Sequence, residues 1–267
     1  MSARPSVDEV IGDLLAEHDD LDAIVSGRAD ADWDLATPAE GWSVRDTVSH
    51  LAFFDDRATE AVTTPDEFRA GLGAVLEDPQ RFIDAGPVQG RELSPGDVLT
   101  WWRTSRANVV AAFRAAAPGL RVPWYGPDMS VSSLVTARLM ETWAHGQDVA
   151  DALGVRRTPT ARLRHVAHLG VATYRYSFVA TGRAEPQAPV CVELTAPDGS
   201  TWTFGPSDAD NRVAGAAVDF CLLVTQRRHR NDTDVRAEGP VATEWLTIAQ
   251  AFAGPAGAGR QPGLPRA

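Results

Sequence analysis

The chain has 267 residues and a formal net charge of −11, from 25 basic and 36 acidic side chains, and it contains no lysine, so every basic side chain is an arginine. That balance argues against general binding to nucleic acid or to an anionic membrane surface, both of which need a surplus of positive charge. Cys191 and Cys221 form no C-x-x-C pair, which sets aside a disulfide framework and a cysteine zinc site, and no apolar run approaches the roughly 18 residues of a membrane span.

Val7 to Val25 is periodic, with Val10, Ile11, Leu14, Leu15, Leu21 and Ile24 apolar and acids between them, and predicts a first helix. A loop follows through Asp34 to Gly41. Ser43-Val44-Arg45-Asp46 then supplies an N-cap with an acid three residues on, so a second helix starts near Val44 and runs past His50. Pro65 to Val75 is a weaker helical piece, and Asp78 to Pro95, rich in Gly, Pro and polar residues, reads as loop. A third helix starts at Pro95-Gly96-Asp97 and stops at Pro118-Gly119; Val122 to Pro127 is irregular; a fourth helix runs from Ser130 to Leu153-Gly154. One more helix is expected over about Thr160 to Thr181. From Pro189 the pattern turns β-like, with Val190-Leu194 and Thr201-Phe204 reading as a hairpin about Asp198-Gly199. Gly215 to Thr225 fits a buried helix or a strand, and Val241 to Phe252 a short amphipathic helix. The expected organisation is mainly α: a helical domain over 5–158, a smaller α/β domain over 159–255, and a disordered Gly/Pro/Ala tail over 256–267.

The fourth helix carries the most informative residues. Advancing about 100° per residue from Leu134, which marks the apolar stripe, Glu141, Ala144, His145, Asp148 and Val149 fall within about 80° of it. A carboxylate and an imidazole on a core-facing stripe are costly unless something pairs with them, and a metal ion is one candidate. Glu141 and His145 have the i, i+4 spacing by which one helix supplies two ligands to an open zinc site. An ordinary ion pair of Glu141 with Arg138 is the competing explanation. A third ligand must come from elsewhere, and of His18, His50, His165, His168 and His229 the best placed is His50, at the edge of the second helix's apolar stripe. Asp148 shares the face and suits orientation of a ligand imidazole. Trp101, Trp102, Trp124, Tyr125 and Trp143 are candidate walls of a pocket above the site, unless they simply fill the core.

Two segments carry a resemblance to a known family. Gly41-Trp42-Ser43-Val44-Arg45-Asp46-Thr47-Val48-Ser49-His50-Leu51 and Glu141-Thr142-Trp143-Ala144-His145-Gly146-Gln147-Asp148-Val149-Ala150 resemble the signature segments of the mycothiol-dependent maleylpyruvate isomerase N-terminal domain, in the DinB-like superfamily of four-helix bundles. The resemblance implies a divalent metal, usually zinc, on His50, Glu141 and His145, with an open position for water or a thiol. The region after the bundle resembles the small sterol-carrier-like α/β domain of those isomerases. By the same resemblance a catalytic arginine is expected after an apolar helix, where Arg227 fits and Arg228 follows, although Gln226 stands where the family commonly has glycine.

The expected activity is that of a cytoplasmic metalloenzyme, an isomerase or S-transferase. It would present a low-molecular-weight thiol such as mycothiol to an electrophilic small molecule, with Trp143 and Arg228 against the cofactor and Arg227 or Arg228 on a substrate carboxylate. Asp148 has a catalytic part in that scheme, as the group that orients a ligand. A metal-activated-water hydrolase or lyase with Asp148 or Glu60 as base, and a non-catalytic carrier of an apolar ligand, are the alternatives. The expected partners are the thiol and the substrate, with no nucleic acid and no membrane, in a monomer or homodimer.

Overall fold

A computed structural model describes residues 5–252, 254 and 256–263. Contacts divide the chain into two compact units, Met1–Val155 and Arg156–Ala267.

Four long helices build the first unit: α1 (Val7–Val25), α3 (Val44–Thr63), α7 (Pro95–Ala115) and α8 (Val131–Ala152), with the single turn α2 (Asp30–Trp33) between the first two. Each starts on a serine N-cap, Ser6, Ser43, Ser94 and Ser130, whose hydroxyl accepts an amide of the first turn that has no partner inside the helix. In α1 and α3 the box is complete, since Glu9 and Asp46 return to the cap residue's own amide. Helices α1 and α3 each pack on both α7 and α8, which closes the bundle. Its centre is apolar, with Leu14, Leu21, Val48, Leu51, Val98, Trp102, Leu134 and Val149 fully buried.

The stretch expected to be loop is instead helical. Between α3 and α7 the weaker helical piece expected from Pro65 is α4 (Pro65–Glu77), and the residues expected to be loop hold α5 (Pro79–Ile83) and α6 (Ala85–Arg91). Pro79, which suggested a break, occupies the first turn of α5, as Pro65 does that of α4, where a missing amide hydrogen costs nothing. The glycines have a packing role. A Cβ on Gly86 would lie 2.9 Å from Ser49 O and Phe53 Cβ, and one on Gly90 would overlap Ser49 Oγ, so α6 lies flush on the part of α3 that carries His50. Arg91 then ties α6 to the start of α3, its Nε donating to Asp46 Oδ1 at 2.8 Å.

Asp22 joins α1 to α7. Its carboxylate accepts from Arg103 Nε at 2.8 Å and Arg106 Nη2 at 2.6 Å, and the Arg103 hydrogen bond leads the effects that hold its pKa at about 2, against the opposing push of partial burial. A carboxyl whose folded pKa lies below its unfolded value stabilises the fold fully above the unfolded value, near 4, and loses that contribution as pH falls through about 2. Asp22→Asn is therefore expected to be less stable than wild type near neutral pH. The gap in urea midpoint between the two proteins should shrink steadily below about pH 4.

In the second unit the helix expected over 160–181 is two helices, α9 (Leu163–Ala172) and α10 (Tyr174–Ala180). The break falls at Thr173, whose hydroxyl donates back to Leu169 O at 2.9 Å and competes with the backbone ladder. The expected hairpin is present as β3 (Val190–Thr195) and β4 (Thr201–Phe204), antiparallel, with Gly199 at φ 82 in the turn. The run from Gly215 to Thr225, open to helix or strand, holds the end of a strand β5 (Asn211–Ala216) parallel to β3 and then a helix α11 (Ala217–Val224). With β6 (Arg236–Glu238) the sheet order is β4-β3-β5-β6. The last helix, α12 (Pro240–Trp245), ends well before Phe252. Amides beyond it are used elsewhere, Gln250 N by Ser177 Oγ at 3.1 Å and Ala251 N by Val224 O at 2.7 Å, so the helical ladder does not continue. Trp245 instead anchors the unit's core against Tyr174 and Phe220.

Residues 256–263 carry no regular structure, although Gly257 N donates to Gln250 Oε1 and Gly263 N to Asp232; positions 264–267 of the expected tail lie outside the described residues. Among the described residues no helix is long and apolar enough to cross a membrane.

Candidate metal centre

The bundle brings His50 of α3 beside Glu141 and His145 of α8. One ligating atom from each lies within 4.8 Å of the others, and His145 Nε2 is 3.3 Å from Glu141 Oε2. The two imidazole rings stand 4.8 Å apart at an angle of 58°. Both histidines are buried and Glu141 is half-buried, so the cluster sits at the edge of the bundle core.

Protonation favours metal ligation. Burial, followed by the charge of His145, pulls the His50 imidazole well below its ordinary pKa, so it is neutral with a lone pair available. Glu141 feels burial most strongly, which on its own would raise its pKa, but the hydrogen bond and charge of His145 and the charge of Arg138 hold it at about 2. The third residue is oriented from behind: Asp148, fully buried, places Oδ2 3.4 Å from His145 Nδ1, which leaves Nε2 directed at Glu141.

One atom tests whether the site suits a cation. His50 Nδ1 is buried and has no hydrogen-bond partner, which costs about 1–3 kcal/mol in a finished core. A cation would satisfy it. Two neutral imidazoles and one carboxylate are the donor set of open zinc sites, in which a fourth position stays free. The residues fit a divalent metal.

Arg138 does not pair with Glu141, contrary to the simpler expectation. It is buried one turn earlier on α8 and donates to Asp55 Oδ1 of α3 at 2.9 Å and to Leu51 O at 3.3 Å. Glu60, considered as a base, pairs with Arg57 at 2.6 Å. Of the five aromatic residues singled out, Trp102 is bundle core, Trp101 donates to Asp56 Oδ2 at 2.8 Å, and Trp143 is buried on α8 between the two ligands in sequence. Trp124 and Tyr125 join an aromatic group that the sequence reading missed. Its member nearest the candidate ligands is Phe54, 4.6 Å from the His50 ring; Trp42, apart from that group, stacks on His145 at 5.9 Å and 17°. The Gly-Trp step ahead of the α3 cap was the available signal for Trp42, because Gly41 at φ 77 turns the chain to place it.

Arg227 and Arg228 lie in the second unit, just past α11. Arg227 Nη1 donates to Thr225 O at 2.7 Å, while Arg228 is buried and its Nη1 donates to Arg227 O at 2.8 Å. Gln226 before them has φ 58, the left-handed conformation that glycine adopts most readily, and its side chain is tied to Ala249 O. The backbone thus takes a glycine-like turn at a position without glycine.

Comparison with known proteins bears on both units. Residues 14–150 match the family model of the mycothiol maleylpyruvate isomerase N-terminal domain, and residues 186–238, within the region likened to a sterol carrier, match that of wyosine base formation. Two uncharacterized proteins of Mycobacterium tuberculosis, from strains CDC 1551 and H37Rv, are each 48% identical over 250 residues, covering 94% of this chain and 97% of theirs. The crystal structures of the mycothiol-dependent maleylpyruvate isomerase and of a histidine-to-alanine mutant of it share the fold, each with a TM-score of 0.60 at 17% identity, over 88% of this chain and 95% of theirs.

Proposed function

Because the chain belongs to the mycothiol maleylpyruvate isomerase N-terminal domain family, we propose that it is a divalent-metal enzyme, with zinc the fitting ion, that activates a low-molecular-weight thiol such as mycothiol for isomerisation of, or transfer to, an electrophilic small molecule. The observation that carries this reading is the convergence of His50, Glu141 and His145, one ligating atom from each within 4.8 Å of the others. When bound there, a divalent cation supplies Lewis acidity and holds a thiol in its ionised form at neutral pH.

The chain's own residues set the conditions for that chemistry. As ligands the two imidazoles would add no charge and Glu141 one negative charge, so with a divalent ion the site would be net positive and favour an anionic fourth partner. Asp148 fixes the His145 tautomer through Nδ1. Trp42, stacked on His145, shields one side of the imidazole from water. In the same proposal Trp143 and Arg228 act toward the thiol cofactor, and Arg227 or Arg228 pairs bidentately with a substrate carboxylate. The family's sterol-carrier-like second domain remains part of the proposal for 159–255, and the setting proposed is cytoplasmic.

Cobalt substitution tests the thiol directly. Addition of mycothiol to the full-length cobalt-loaded protein is expected to produce a sulfur-to-metal charge-transfer band that saturates at one equivalent, and a serine-for-cysteine analogue of mycothiol should produce none. A loaded protein whose spectrum ignores the thiol would count against thiol activation and in favour of water activation.

A further inference from the structure

Six aromatic side chains gather beside His50 in the first unit, and nothing in the metal chemistry requires them. Phe53 and Phe54 come from α3, Phe68 from α4, Phe82 from α5, and Trp124 and Tyr125 from the segment between β1 (Arg121–Val122) and β2 (Met129–Ser130). They form a continuous path. Phe54 lies 4.6 Å from the His50 ring, Phe82 5.6 Å from Phe54, and Tyr125 4.9 Å from Phe82. Trp124 is 4.9 Å from Tyr125 and stacks on Phe68 at 5.7 Å.

Their exposure separates them from core. The aromatic residues that fill the two units, such as Trp102, Phe113 and Trp245, are buried to 2% exposure or less. Phe53, Phe54, Phe82, Trp124 and Tyr125 are all half-buried, and only Phe68 beneath them is closed off. Half-exposed rings adjoining a metal-ligand imidazole are a surface suited to an apolar ligand, because covering them removes apolar area from water.

The charges nearby point the same way. Arg57, 5.5 Å over the Phe53 ring, is paired with Glu60, and Arg138 is paired with Asp55. At the entrance to α3, Arg45 is paired with Asp34 and Arg91 with Asp46. A diacid brought to this strip would meet, at Arg57, Arg138, Arg45 and Arg91, guanidinium groups that carboxylates already occupy. Tyr125 adds a neutral polar handle within the strip, since burial pushes its phenol well above the ordinary value and keeps it protonated.

We infer that the strip from Phe54 to Trp124 binds the body of the substrate, which is a flat, largely apolar conjugated molecule of the aryl-enone or quinone class rather than a small hydrophilic diacid. The inference rests on the reading of His50, Glu141 and His145 as the reacting centre. It concerns recognition alone.

The test uses the full-length protein, zinc-loaded and metal-stripped, with 1-naphthol as an unreactive probe and maleate as the diacid control, read by calorimetry and tryptophan fluorescence. Both forms should bind 1-naphthol more tightly than maleate. Phe54→Leu should weaken 1-naphthol about three- to tenfold, the worth of an aromatic contact beyond its area. Phe82→Leu, one ring further from His50, should do the same with zinc content unchanged. Wild type that binds maleate more tightly than 1-naphthol, or both leucine variants retaining wild-type affinity, would overturn the inference. The two readings fail separately: metal-stripped protein that binds 1-naphthol sustains the strip even if no thiol reaches the metal, and loaded protein that binds the thiol but not 1-naphthol removes the strip alone.

Discussion

Replacing His50 with alanine is expected to lower affinity for zinc by more than about a hundredfold, measured by competition with a chromophoric chelator on the purified protein. Loss of a residue that merely orients a ligand costs about 10–100-fold, and His50 contributes a donor from a different helix than the other two. Without it Glu141 and His145 remain as an i, i+4 pair on one helix, an arrangement that binds a cation weakly. The effect should also be visible as stability. A cation at a hundred times its dissociation constant stabilises the folded state by about 2.7 kcal/mol, so wild type should melt higher with zinc than with chelator. The variant should show no such difference. Equal zinc content in the two proteins would remove His50 from the site.

The second large effect lies one turn away. Arg138 and Asp55 form a fully buried ion pair between α8 and α3, three residues before Glu141 and five after His50. Burial pushes the Asp55 carboxyl up, and Arg138 pulls it back through its charge and its hydrogen bond. Arg138→Met leaves that carboxyl buried without its cation. The expected cost is about 3–5 kcal/mol, read from the urea midpoint at pH 7. The double variant Arg138→Met, Asp55→Leu should recover most of the loss, because two apolar side chains of similar volume need no compensation in a low-dielectric interior. A single variant as stable as wild type would show that the pair contributes nothing to holding the helices that bear the ligands.

The three candidate ligands were legible because each sits on a long periodic helix with a recognisable cap. Ser43 and Asp46 announced the start of α3, and the 3.6-residue period then put His50 at the edge of the core. The i, i+4 spacing did the same for Glu141 and His145. What stayed hidden depended on partners distant in sequence. Pro79, Gly86 and Gly90 look like loop residues until α3 is present for α6 to lie against. Phe54, Phe82 and Tyr125 are ordinary aromatic residues until three separate segments bring their rings together. Arg138 had a carboxylate at helical spacing beside it, yet it took Asp55, 83 residues away, where geometry and burial were better.

The absence of lysine has a chemical consequence in a protein proposed to handle electrophiles. An enone or quinone seeks thiolates and unprotonated amines. Here every basic side chain is a guanidinium, which stays protonated and is a poor nucleophile. Both thiols are buried, and burial raises the pKa of Cys191 and more strongly that of Cys221, away from the reactive anion. Of its covalent options the polypeptide thus retains few besides histidine nitrogens and its α-amine. A reactive substrate can reside on such a protein and meet the delivered thiol before it meets the chain that delivers it.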